Sequence, residues 1–507
     1  MPLFQGGFAS SIKSVVAGIA LAGLMYGAAL PAKVHAQSSS FPAVTEHTLA
    51  EHPAGPVQYQ ARVESIRVQD SDGKDSADIV ATSYLAKHIA NSESENNRPV
   101  IFFFNGGPIV PSVYLHLGVF APQRIQFLAE PNDPEFPPTA EQPWQLVSNP
   151  DSIIDIADLV YVDPASTGFS RVVEGRDERE FFTVDQDARK VADFIGNWVE
   201  KHGREGSPVY VFGESYGTMR APVTAHKLHE HYPYVNIRGV MLFGQAVNMI
   251  EYSQRPNNIV SYLVSLPTLS LIARYHGKSA YPELSEAELY DKAWQYATDH
   301  YLPALFAGTY ISESQLHEVA TELENLTGIS REFYIEHRLK INKQQFRTEL
   351  LEGEYLGFYD ARYTGPFDSE QPIDPSGPLG QAYLNAFSEY VTDVLQVETD
   401  KEYLPRADVG GLAGWEWGGN SPFSHFNYAA HLDALFAETE DFRLYVGSGY
   451  YDLSTTAGSA EYLVQMSDWP LERVMLRNYT GGHMAYTVDE SARAMSQDIR
   501  EFLGKAL

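Results

Sequence analysis

Short runs of uninterrupted apolar residues mark the first half of the chain: VIFFF at 100–104, LVYV at 159–162, VYVF at 209–212 and VMLF at 240–243. Each stops at a glycine, asparagine or aspartate instead of passing into alternation. A strand apolar on every residue is buried on both faces, as in parallel sheets covered by helices. Between the second and third runs, residues 184–201 place Val191, Phe194, Ile195 and Trp198 at the spacing of one helix face. Strand, helix, strand at this pitch predicts a parallel α/β sheet. Upstream, residues 62–68 and 78–85 flank Asp72-Gly73, which predicts a hairpin closed by a turn dipeptide.

The texture changes near residue 251. From there to 430 the chain is rich in helix formers and aromatics, and 289–305, 313–326, 331–351 and 381–394 read as helices around a Pro/Gly/Asp loop at 365–380. The earlier rhythm then resumes with a strand at 442–446, a helix at 457–466, a strand at 473–476 and a helix at 491–503. One α/β sheet interrupted by a large, mostly helical insertion accounts for this order. The sheet takes residues 37–250 and 431–507, and the insertion takes 251–430. Residues 91–98 and the Pro-rich 130–143 read as surface loops.

The first 36 residues carry no acid, a Lys13, an apolar stretch at 15–30 ended by Pro31, and Val34-His35-Ala36. This predicts a secretory signal cleaved after Ala36. The apolar stretch is shorter than the ~20 residues that span a bilayer. The 507 residues hold 36 Lys+Arg against 66 Asp+Glu, a net charge of −30, which disfavours nucleic acid and anionic membrane surfaces as partners. No cysteine is present, which excludes disulfides, thiolate metal sites and cysteine nucleophiles. An exported protein working with oxygen and imidazole chemistry is the expectation.

The strand at 209–212 runs into Gly213-Glu214-Ser215-Tyr216-Gly217. A sharp strand-to-helix turn needs small residues on both sides of a strained serine, and it aims the next backbone N–H at a forming oxyanion. Ser215 is therefore the candidate nucleophile and Tyr216 a candidate oxyanion donor. A serine needs an imidazole base, and the base needs a carboxylate, in the order Ser, acid, His along such a fold. Asp452 follows the strand at 442–446, and His483 closes Gly481-Gly482-His483 after the strand at 473–476. Asp433 or Asp441 remains an alternative acid. A second oxyanion N–H belongs on the loop after an earlier strand, where Asn105-Gly106-Gly107-Pro108 stands; Gly107 is the candidate. His226, His229 and His231 read as a solvated helix face, without a metal, and Trp415-Glu416-Trp417 as packing within the insertion. No cofactor is expected.

At these residues the chain resembles the serine carboxypeptidases, a branch of the α/β-hydrolase fold: FFFNGGP (102–108), DPASTGFS (163–170), GESYG (213–217), Tyr451-Asp452 and GGHM (481–484). LPTLSLIARYHGK (266–278) and FYDARYTGP (358–366) are similar to the family's bacterial members. The resemblance implies release of C-terminal residues from peptides through an acyl-enzyme. It further implies that Asn105, Gly106 and Glu214 hold the substrate's terminal carboxylate. Two carboxylates in contact repel unless one keeps a proton, so activity favoured at mildly acid pH is expected. The chain departs from the family pattern at Ile109-Val110-Pro111-Ser112, at Val119 where many members have Glu, and at Ser166 where Gly is usual. An esterase, amidase or acyltransferase with the same triad is the alternative, and a catalytically silent binding domain a third reading.

Overall fold

The computed structural model describes residues 41–87, 97–128, 131, 144–367, 374–407, 409, 410, 412–418 and 427–504. The expected signal at 1–36, the loop at 130–143 except residue 131, residues 91–96 of the loop at 91–98 and 368–373 of that at 365–380 lie outside them. In chain order the strands are β1 (Ala43–Leu49), β2 (Val57–Gln69), β3 (Asp75–Ala86), β4 (Val100–Phe104), β5 (Gln123–Phe127), β6 (Trp144–Ser148), β7 (Asp158–Asp163), β8 (Arg171–Val172), β9 (Pro208–Glu214) and β10 (Asn236–Phe243). After the helical stretch, which holds β11 (Glu354–Leu356) and β12 (Thr364–Pro366), come β13 (Arg443–Gly449) and β14 (Val474–Tyr479).

One mixed sheet runs in the order β1-β2-β3-β7-β4-β9-β10-β13-β14, with β8 beside β3. The β2–β3 hairpin is antiparallel, and Asp70 caps its turn by accepting the N–H groups of Asp72 and Lys74, both at 2.9 Å. From β7 to β14 every pairing is parallel. The apolar runs read from the sequence are these central strands, and their unbroken hydrophobicity has a simple cause: each serves two cores. Phe102, Phe104, Val211 and Leu242 face one, while Ile101, Phe103, Phe212 and Met241 face the other.

Helix Val184–Lys201 covers the first face. Thr183 caps it by accepting the N–H of Gln186, and fully buried Trp198 meets Phe102 edge-on at 5.3 Å. Helix Asp489–Gly504 covers the second face, with Phe502 against Tyr210 and Tyr445. A third core gathers residues of the helical stretch with Tyr451, Leu453 and Ala457 from the segment just after β13. That sharing ties the helical stretch to the edge of the sheet where the candidate acid lies.

Some elements differ from the sequence expectation. Residues 331–351 form two helices, Arg331–Glu336 and Lys343–Glu349, because Arg338 and Leu339 take positive φ and Asn342 with Gln345 begins a new capping box. Residues 289–305 break into Glu286–Tyr296, a π-turn at Ala297–Tyr301 and Leu302–Ala307, whose Pro303 sits in the first helical turn because it has no N–H to give the preceding one. Strand β1, the β5–β6 pair and helix Ala429–Glu438 lie outside the elements expected from the sequence, although that helix carries Leu432, Leu435 and Phe436 on one buried face. Among the described residues no helix is long and apolar enough to cross a membrane.

Candidate active site

The parallel strands deliver the candidate residues to one edge of the sheet. Ser215 follows β9, Gly244 follows β10, Asp452 lies three residues past β13, and His483 four past β14. The pattern Gly-Glu-Ser-Tyr-Gly has a steric reason. A Cβ on Gly213 would fall 2.0 Å from the carbonyl oxygen of Gly217, and one on Gly217 would fall 2.9 Å from that of Phe104. Ser215 itself sits at φ +59°, a left-handed conformation that costs an L-residue energy and recurs at functional turns. From Val209 to Ala225 it alone is not buried. Its N–H is anchored on the Phe243 carbonyl at 2.9 Å.

The candidate acid and candidate base meet in a hydrogen-bonded pair. His483 Nδ1 lies 2.7 Å from Asp452 Oδ2, and Asp452 is wholly buried. Its other contacts come from its own turn: Ser454 N–H at 2.7 Å and Thr455 N–H at 3.1 Å to Oδ1, and Thr455 Oγ1 at 2.6 Å to Oδ2. Burial pulls the His483 imidazole down, but the Asp452 carboxylate, by charge and by hydrogen bond, holds it above its ordinary range. The alternative acids are engaged elsewhere: Asp433 accepts from Trp469 Nε1, and Asp441 pairs with Arg238. Gly449 lets the two loops cross, since a Cβ there would lie 1.9 Å from the Gly482 carbonyl oxygen. A Cβ on Gly244, the residue after β10, would sit 3.1 Å from His483 Cε1, so the strand end that anchors Ser215 lies against the His483 ring. Among the described residues no hydrogen bond joins His483 to Ser215. Such contacts are commonly long until substrate is bound.

The loop after β4 supplies the remaining groups. A Cβ on Gly106 would lie 2.6 Å from Tyr216 N and 2.8 Å from Ser215 Cβ, so this loop lies directly against the nucleophile turn. Both candidate oxyanion donors, Gly107 N–H and Tyr216 N–H, therefore lie on touching segments. Asn105 donates from Nδ2 to Glu214 Oε2 at 2.7 Å and accepts the Leu115 N–H on Oδ1. Burial pushes the Glu214 carboxyl up to about 7, against the opposing influence of His483, Tyr486 and Asn105.

Sequence reasoning missed the framework behind these groups. Arg220, wholly buried on the helix after Ser215, donates to the carbonyls of Asn105 at 2.7 Å and Pro108 at 2.8 Å and pairs with Asp187 at 2.7 Å. Asp187 also accepts the Tyr216 hydroxyl at 2.9 Å. An arginine flanked by Gly217, Thr218, Met219, Ala221, Pro222 and Val223, the small and apolar first turns of that helix, was the available signal. The helical stretch contributes Tyr359, whose carbonyl accepts the His483 N–H at 2.6 Å, and Asp360, which accepts the Gly482 N–H at 3.0 Å. Tyr486 donates to Glu214, a contact no spacing rule announces.

The remaining expectations have clear places. Trp415 and Trp417 pack not within the insertion but on the sheet core, edge-on against the Tyr216 ring, with Trp415 also stacking on Phe182. His226 bonds His431 and His229 pairs with Glu438; among the described residues no group of three side chains is arranged to hold a metal. Ser166 takes φ +63°, the conformation that makes glycine usual there, and Ile109 and Val119 are buried.

A family model described as serine carboxypeptidase matches residues 86–497. Curated relatives include serine-type carboxypeptidase F of Aspergillus niger, 25% identical over 167 residues, which is 32% of this chain and 28% of that protein. Serine carboxypeptidase-like 40 of Arabidopsis thaliana is 25% identical over 199 residues, 38% of this chain and 35% of that protein. The aligned stretches thus span about a third of these relatives' length or less. Among solved structures, the prohormone-processing carboxypeptidase Kex1(delta)p of Saccharomyces cerevisiae superposes with a TM-score of 0.53 at 14% identity, covering 88% of this chain and 91% of that one. The sheet and its flanking helices are those of the α/β-hydrolase fold.

Proposed function

The chain belongs to the serine carboxypeptidase family, and from that premise we propose that it removes residues one at a time from the free C-termini of peptides. Ser215 Oγ attacks the last peptide carbonyl as His483 Nε2 takes its proton, with Asp452 holding the ring by Nδ1–H. The N–H groups of Gly107 and Tyr216 receive the oxyanion. Collapse expels the C-terminal residue as an amine that regains the proton from His483, and water then releases the acyl group from Ser215 by the same steps in reverse.

The observation that carries the reading is the buried Glu214 one residue before the nucleophile, linked to Asn105 and pushed up to about 7. An ordinary acyl hydrolase has no use for a proton-bearing carboxyl there. A carboxypeptidase does: the neutral acid donates a hydrogen bond to the substrate's carboxylate, whereas an ionised one repels it. Kinetics on paired peptides with a free or an amidated C-terminus test this. We expect the free acid to be preferred by at least about tenfold at pH 5.5, as one charge-assisted hydrogen bond of about 1.5–3 kcal/mol requires. Equal turnover of the two would overturn the reading in favour of a general esterase or amidase.

We infer further that residues 251–430 act as a cap over one core formed by 37–250 and 431–507, and that the chain is exported after loss of residues 1–36. A mature N-terminus at Gln37 on protein recovered outside the cytoplasm supports export; retention of residue 1 contradicts it.

A further inference from the structure

Three loops converge on one carboxyl. Glu214 ends β9, Asn105 follows β4, and Tyr486 lies three residues past His483 in the loop after β14. The Tyr486 hydroxyl lies 2.9 Å from Glu214 Oε2 and 3.1 Å from Oε1, so its single hydrogen is shared between the two oxygens. Its ring is wholly buried, edge-on to Tyr383 at 6.4 Å. Gly118 makes room for it: a Cβ there would lie 2.5 Å from the ring. The Leu115 N–H occupies Asn105 Oδ1, which obliges the amide to present Nδ2 to Glu214 Oε2.

We propose that Tyr486 is a positioning residue for recognition of the substrate's terminal carboxylate, fixing the plane of the Glu214 carboxyl and tying it to the loop that carries His483. The inference rests on the carboxypeptidase reading above. Oε2 receives Asn105 as well as Tyr486, so Oε1 is the oxygen better suited to carry the proton that faces substrate. The titratable groups facing Glu214 are Tyr486 and His483 on the β14 loop, Asp452 after β13, Tyr114 after β4, and Tyr383 on helix Gly377–Asp393. Both donors favour the ionised carboxyl, so they set the pH above which recognition fails. Losing the Tyr486 hydroxyl leaves Glu214 protonated to higher pH.

The test is the alkaline limb of kcat/KM for a peptide with a free C-terminus, which reports the free enzyme. Tyr486→Phe moves its midpoint up by about one pH unit, the size expected from one hydrogen bond to a charged group. 3-Fluorotyrosine in place of Tyr486, a stronger donor, moves it down and decides the matter should Tyr486→Phe not fold. In Glu214→Gln the limb is absent, and adding Tyr486→Phe restores nothing. If the wild type prefers free acids but both changes at 486 leave the midpoint in place, this inference fails alone. If the wild type treats acid and amide alike, the carboxypeptidase reading fails and takes this inference with it.

Discussion

Glu214 is a costly residue. Its carboxyl, raised from 4.5 to about 7, is protonated in the folded protein over a range where the unfolded chain would ionise it. Stability therefore falls as pH rises from about 4.5 to 7, by on the order of 3 kcal/mol in all. Glu214→Gln removes that loss, so the variant should melt higher than the wild type at pH 8 and nearly with it at pH 4.5, by calorimetry. No gain at pH 8 would mean that the carboxyl ionises in the fold as readily as in the unfolded chain. Asp452 receives four donors and has no exposure. Asp452→Asn should lower kcat by about 10⁴, because the amide holds the wrong tautomer of His483. A loss below tenfold would move the role of acid elsewhere.

The site depends on how elements cross as much as on which side chains they carry. The segment Phe358, Tyr359, Asp360 and Ala361 bonds both triad loops: Leu453 N–H to the Phe358 carbonyl, Ala361 N–H to that of Tyr451, and the two contacts to Gly482 and His483. At the crossing itself Gly449→Ala forces the Asp452 and His483 loops apart. We expect kcat to drop about 100-fold, the penalty for displacing aligned groups by an ångström or so, with a cooperative melt retained. Unchanged kcat would show that the crossing does not position the pair.

These crossings also explain what could be read from sequence. The central strands and helix Val184–Lys201 were legible because burial on two faces, or on one helical face, leaves a periodic mark. Ser215, Asp452 and His483 were legible because each follows such a strand through glycines. Arg220, Asp360 and Tyr486 were not, because their partners lie on other loops and only the assembled sheet edge brings them together. The helical stretch was misread in detail where positive φ at Arg338 and Leu339 broke an apolar pattern that looked continuous.

At the scale of the whole molecule, the net charge of −30 acts on every encounter with the proposed substrate, a peptide with an anionic terminus. Repulsion slows the approach of acidic peptides and is screened by salt within about 10 Å at 0.1 M. Raising ionic strength should increase kcat/KM for peptides of net negative charge and lower it for basic ones, read in parallel assays. The same slope for both would assign the effect to something other than long-range charge.

In the proposed function, Ser215 cuts the last peptide bond of a free C-terminus. Mass spectrometry of a mixed peptide library after incubation at mildly acid pH measures this directly. The wild type should produce ladders shortened one residue at a time from the C-terminus, with amidated peptides largely spared, and Ser215→Ala should produce none. Internal cuts, trimming from the N-terminus, or ladders that persist in Ser215→Ala would contradict it.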